Sequence, residues 1–213
     1  KKVKNNQISR SFELDVFNIK KSKVKLTNLK KTIFFFYNLF NILLVKFGFK
    51  NLQTSNYFVE RNFSYNKGIN KIKKDCFLSG YWQSPLYFQS VESIIRKDFI
   101  FPQIKESTNI EILKKIKKTN SVSIHVRRGD FLNTKDHGIH GVCSLKYYEN
   151  AISYILYNTE KPVFFIFSDD QEWVKQNFNL VSNYYFVEGN TGKKSYLDMH
   201  LMSECKHNII ANS

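Results

Sequence analysis

At 213 residues and 25.3 kDa, with 42% hydrophobic and 16% aromatic residues, the chain carries enough apolar material for one large or two small packed domains. An intrinsically disordered protein is excluded. The formal net charge of +15 favours anionic substrates, polynucleotides or an anionic leaflet, but the lysines are spread widely among Asn, Ile, Phe and Tyr, which reads as compositional drift ahead of a dedicated nucleic-acid face.

The first thirty residues hold no glycine and mix a strand-like piece, Ser11 to Ile19, with a lysine-rich stretch, Lys20 to Lys31. Ile33 to Phe47 is strongly apolar yet short and broken by Asn38 and Asn41, so a buried or interfacial helix is expected in place of a transmembrane one. Tyr57 to Tyr65 reads as extended, and Phe77 to Phe88 as a strand running into a turn where Pro85 starts a helix. Helices are expected over Val91 to Phe99 and Ile110 to Lys118, with a domain boundary near Lys114 to Asn120.

From Ser121 the pattern alternates. Strands are expected at Val122 to Val126, Val163 to Phe167, Tyr184 to Val187 and Asn208 to Ala211. Helices are expected at Ser144 to Tyr157, with Ser144 as N-cap, at Gln171 to Phe178 and at Lys194 to Cys205. This βαβαβαβ order predicts a parallel sheet with right-handed crossovers, a Rossmann-like half. Cys76, Cys143 and Cys205 are odd in number and lack CxxC spacing, which argues for a reducing compartment and against a disulfide framework or a zinc site.

In such a sheet the chemistry belongs at the strand C-terminal ends. After the first strand stand Arg127, Arg128 and Asp130, with His125 just before them; after the second, Ser168, Asp169 and Asp170; after the third, Glu188, Gly189 and Asn190; after the fourth, Asn212 and Ser213. Two adjacent guanidiniums suit a diphosphate, because the planar fork binds phosphate oxygens bidentately and keeps its charge. Ser168 and Asp169 could accept from ribose or base, or the turn could simply cap the next helix. Asp169 and Asp170 are also a conceivable Mg²⁺ or Mn²⁺ pair, but the arginines already supply countercharge, so a metal-free site is expected. His125, His137 and His140 show no ligand spacing on one element. The likeness of Arg128-Gly129-Asp130 to an adhesion tripeptide carries little weight directly after a strand. Asp198 is expected to face solvent or cap its helix, and Cys205 and His207 to pack at the start of the last strand.

The segments FLSGYWQSPLYF (77–88), VSIHVRRGDF (122–131), HGVCSLKYY (140–148), FIFSDDQEW (165–173) and YLDMHLMSECKHNIIANS (196–213) together resemble the bacterial alpha-1,2-fucosyltransferases of glycosyltransferase family 11. The resemblance implies a GT-B-like α/β enzyme that moves L-fucose from GDP-fucose to the 2-hydroxyl of a galactose-containing glycan, with inversion and without a metal or other cofactor. It implies a partial N-terminal, acceptor-side domain over 1–118 and a nucleotide-sugar domain over 119–213. Carried onto matching positions, Arg127 and Arg128 would hold the diphosphate, and His125, Ser168, Asp169, Asp198, Asn212 and Ser213 would line the donor site. Asp130 and Asp136 are the candidates for the base. Glycan or lipopolysaccharide synthesis in the cytoplasm, with peripheral association at the inner membrane face and no nucleic-acid partner, would follow. The family's glycine-rich opening segment and its continuation beyond NIIANS are not present in these residues, so an internal piece of a longer enzyme is expected. Another GDP-sugar transferase and a basic nucleic-acid-binding module stay open as alternatives.

Overall fold

The computed structural model describes residues 13–17, 19, 32–33, 35–37, 39–40, 43–44, 47, 57–60, 63–72, 76–129, 132, 141–178 and 183–212. The chain divides into two compact units, one of Phe17–Ile100 and one of Lys1–Val16 with Phe101–Ser213.

In the first unit β1 (Tyr57–Val59) and β2 (Phe77–Ser79) form a parallel pair. The Glu60 carboxylate closes the turn beyond them, its Oε2 accepting from the N–H groups of Tyr81 at 2.7 Å and Trp82 at 2.8 Å. Trp82 stands there at φ 51°, in the left-handed region. Its ring stacks on Phe58 and meets Tyr87 edge-on. Pro85 opens a 3₁₀ turn (Pro85–Tyr87), and α1 (Glu92–Asp98) follows. The described residues between Thr32 and Leu44 are helical, and Ile33, Phe35, Phe36, Leu39, Phe40 and Leu43 lie exposed, so of the two expected alternatives, buried or interfacial, the buried one does not hold for these side chains. Among the described residues no helix is long and apolar enough to cross a membrane.

In the second unit, Leu14–Val16 is a 3₁₀ turn and not the expected strand, because Val16 N–H bonds back to Glu13 C=O, a local bond in place of a ladder. The remainder runs α2 (Ser107–Lys118), β3 (Asn120–Val126), α3 (Leu145–Asn158), β4 (Pro162–Ser168), α4 (Gln171–Asn177), β5 (Tyr184–Val187), α5 (Tyr196–Ser203) and β6 (His207–Ile209). The four strands form one parallel sheet in the order β5-β4-β3-β6, with Val126 opposite Ser168, Phe167 opposite Val187 and Ile124 opposite Ile209. All C-terminal ends therefore meet at one edge, as the alternation predicts.

Handedness distributes the helices. The steps β3 to β4 and β4 to β5 move the same way across the sheet, so right-handed crossovers put α3 and α4 on one face; the return from β5 to β6 puts α5 on the other, beside α2. The two cores record this. Val122, Ile124 and Val126 pack with Tyr148, Ile152, Val174 and Phe178, whereas Phe165, Phe167 and Val187 pack with Ile116, Leu197 and Leu201. Covered on both faces, β4 reads as the unbroken apolar run PVFFIF. Local chemistry sets the helix starts: Ser144 caps α3 by accepting from Tyr147 N–H at 3.2 Å, and Asp170 caps α4 by accepting from Trp173 N–H at 3.2 Å. Cys205 is buried as expected, but His207 lies exposed, being the first residue of a short edge strand.

Candidate active site

The order β5-β4-β3-β6 reverses direction at β3, since successive strands add to one side of it until β6 takes the other. Ligands of open α/β sheets bind outside the strand carboxyl ends at such a switch point. Here the residues at that edge are His125 near the end of β3, Arg127 and Arg128 after it, and Ile210 to Asn212 after β6.

The turn after β4 supplies the other wall. Asp169 Oδ1 accepts from the backbone N–H of Arg128 at 2.9 Å, and its Oδ2 stands 3.2 Å from Arg127 Nη1. Gly129 lies close against this carboxylate: a Cβ there would stand 3.0 Å from Asp169 Oδ2, so a larger residue would push the carboxylate away from the arginines. Arg128 takes the second carboxylate and a ring. Its Nε lies 3.6 Å from Asp170 Oδ2, and its guanidinium carbon sits 3.8 Å from the centroid of Trp173. Although neighbouring strand residues point to opposite faces, the turn thus brings both arginines against one acidic pair. All four side chains keep about a fifth to a quarter of their surface in solvent, so the cluster is a half-open polar site.

Around it, Ser168 Oγ accepts from Asp170 N–H at 2.9 Å, and Gln171 Nε2 donates to the carbonyls of Ser168 and Val187, tying the β4 and β5 ends together. Tyr148 donates its hydroxyl to His125 C=O at 3.2 Å. Burial, reinforced by the charge of Arg127 and opposed by Asp169, holds the His125 imidazole below its usual range, so it is neutral at pH 7. On the β6 side, Tyr147 donates to Ile210 C=O at 2.7 Å and Asn212 Nδ2 approaches Gly141 C=O at 3.4 Å.

The structure therefore brings together His125, Arg127, Arg128, Ser168, Asp169 and Asn212 along one edge. Asp130, Asp136, His137, His140 and Ser213 lie outside the described residues. Ser168, Asp169 and Asp170 serve the protein itself: Asp170 caps a helix while both carboxylates face arginines. Asp198 corrects its expectation, since it neither faces open solvent nor caps α5. It accepts from Asn190 Nδ2 at 2.7 Å, and Asn190 in turn exchanges two hydrogen bonds with Asn109 of α2 at 2.8 and 3.1 Å. Burial pushes the Asp198 carboxyl up to about 6, against the hydrogen bond from Asn190. Trp173 was missed by residue-level reading; its position three after a capping Asp was the available signal, since that spacing returns a side chain to the strand end. Among the described residues no three His, Cys, Asp or Glu side chains gather as metal ligands.

A model of the family described as glycosyl transferase family 11 matches residues 12–213. An alpha-1,2-colitosyltransferase of Escherichia coli is 36% identical over 216 residues, covering 99% of this chain and 71% of that protein. The O-antigen biosynthesis glycosyltransferase WbnK of Escherichia coli is 34% identical over 235 residues, covering 98% of this chain and 73% of that protein. A galactoside alpha-(1,2)-fucosyltransferase 1 of Leontocebus fuscicollis is 27% identical over 142 residues, covering 62% of this chain and 39% of that protein. No solved structure matches. An arginine pair at the switch point of a parallel sheet, in a chain matched nearly end to end, fits one conclusion: the protein belongs to glycosyl transferase family 11, an α/β glycosyltransferase related to alpha-1,2-fucosyl- and colitosyltransferases.

Proposed function

We propose that the enzyme transfers L-fucose from GDP-fucose to the 2-hydroxyl of a galactoside, inverting the sugar C1 and using no metal. The observation that carries this reading is the convergence of Arg127 and Arg128 at the carboxyl end of β3, the strand at which the sheet order reverses, against Asp169 and Asp170 of the turn after β4. In the reaction the acceptor oxygen bonds to C1 as the bond from C1 to the diphosphate breaks. The departing GDP takes the electron pair, and the acceptor proton passes to a base, for which Asp130 and Asp136 are proposed. Negative charge grows on the diphosphate, where fixed guanidiniums are worth most. In this proposal the sheet unit is the nucleotide half of a GT-B pair and the other unit serves the acceptor, with the work done in the cytoplasm at the inner membrane face.

A colitosyl donor is the second reading, favoured by the 36% identity to the colitosyltransferase. Colitose is fucose without its 3-hydroxyl, so the comparison is sharp: a site that hydrogen-bonds that hydroxyl rejects the deoxy sugar strongly, while a site without such a bond separates the two weakly.

Turnover of GDP-fucose and of nucleotide-activated colitose with a galactoside tests both. Arg128→Ala is expected to lower the rate about 10²- to 10³-fold, with Arg128→Lys nearly as poor because a point charge cannot replace the fork. EDTA should leave the rate unchanged. A chain that turns over neither sugar, or whose only ligand is polynucleotide lost steeply as salt rises, would overturn the proposal.

A further inference from the structure

We infer that Trp173 and Asp170 are positioning residues for Arg128 and set the grip of the site on a nucleoside diphosphate. The inference rests on the donor reading above and adds which guanidinium dominates and what holds it. Arg128 lies on the indole face, its guanidinium carbon 3.8 Å from the ring centroid. Its Nε is fully buried and 3.6 Å from Asp170 Oδ2, too far for a hydrogen bond. Its two Nη groups make no hydrogen bond to any described residue. One side of the fork is thus turned into the protein, and the two terminal nitrogens are left for a ligand.

The support is rigid. Asp170 caps α4 through Oδ1 and faces Arg128 through Oδ2, so one carboxylate fixes both the helix that carries Trp173 and the arginine that rests on it. The Trp173 ring meets Phe178 edge-on at 5.9 Å, and Phe178 is buried in the core. A long, flexible arginine normally loses its rotamer freedom when it binds; here folding has already restricted it. Arg127 has a different setting, at 3.2 Å from Asp169, the carboxylate that also holds the β3 turn through Arg128 N–H. Both arginines thus meet a carboxylate, and the aromatic support from Trp173 belongs to Arg128.

The consequence is selective. Removing the indole keeps the charge of Arg128 but frees its direction, which weakens ligands that carry a diphosphate and spares those that do not. The test uses the whole chain, with GDP affinity measured by titration calorimetry and guanosine by saturation-transfer NMR. Trp173→Leu is expected to weaken GDP about tenfold and leave guanosine unchanged, with Trp173→Phe recovering most of the loss. In an Arg128→Ala background Trp173→Leu should cost nothing further. Asp170→Asn, which keeps an equally good helix cap, should weaken GDP about two- to fivefold and keeps the inference testable if Trp173→Leu fails to fold. Equal loss of GDP and guanosine, or the same loss with and without Arg128, would make Trp173 a packing residue and overturn the inference. Failure of the wild-type chain to bind GDP would instead remove the donor reading itself, and this inference with it.

Discussion

Asp198 keeps a carboxyl where burial makes ionisation costly. Its folded pKa of about 6 lies above the ordinary 3.8, so below about pH 3 the group is neutral in both folded and unfolded chains and costs nothing. As pH rises toward 6 the unfolded chain gives up its proton first, and the folded state loses stability that it does not regain at higher pH. Asp198→Asn keeps an oxygen for Asn190 and has no charge to desolvate. It is expected to match wild type near about pH 3 and to be more stable by about 1 to 3 kcal/mol at about pH 7.5, read as a gap in thermal midpoint that opens between those values. A gap independent of pH would show that the carboxyl does not titrate in this way. At this scale the position of the two arginines at the carboxyl end of a parallel strand was legible from the apolar run that precedes them. What each arginine touches was not, because Asp169, Asp170 and Trp173 reach them across the sheet, and no spacing along β3 encodes a neighbour more than forty residues away.

At the scale of the elements, β4 and β5 were legible because a strand covered on both faces must be apolar throughout, and Tyr184–Val187 is observed with the limits its apolar run predicts. Ser144 was legible as a cap because a hydroxyl before an amphipathic run has one good use, the N–H three residues on. Ser144→Ala is expected to cost about 1 kcal/mol, measured as a lower urea midpoint at an unchanged slope. Less legible was the stretch around Leu14, where apolar alternation suggested a strand but a single 3₁₀ turn formed, since alternation states which faces are apolar and not whether a partner strand exists. The start of α2 was missed by three residues for a related reason: Ser107 to Asn109 are polar, and Asn109 is buried only because Asn190 meets it.

For the molecule as a whole, the strand order says something about time. β3, β4 and β5 join through successive crossovers, each closed by one helix, whereas β6 must find β3 across 85 residues, the separation of Ser123 and Asn208 whose side chains meet at 2.6 Å. It then pairs over only three positions. Long closure for a short ladder makes that seam late to form and early to open. The ends of β3 and β6, which lead into Arg128 and Asn212, lie side by side only while the seam is shut. A ligand seated there binds the closed state alone and stabilises it by mass action, about 2.7 kcal/mol at a hundred times its dissociation constant. Amide hydrogens of His207–Ile209 should therefore exchange among the fastest of the sheet in the free protein and slow on addition of GDP, with those of β4 little changed; uniform protection of all four strands would contradict it. In a cell, the supply of nucleotide sugar would then govern how long each copy of the enzyme stays whole, as well as how fast it works.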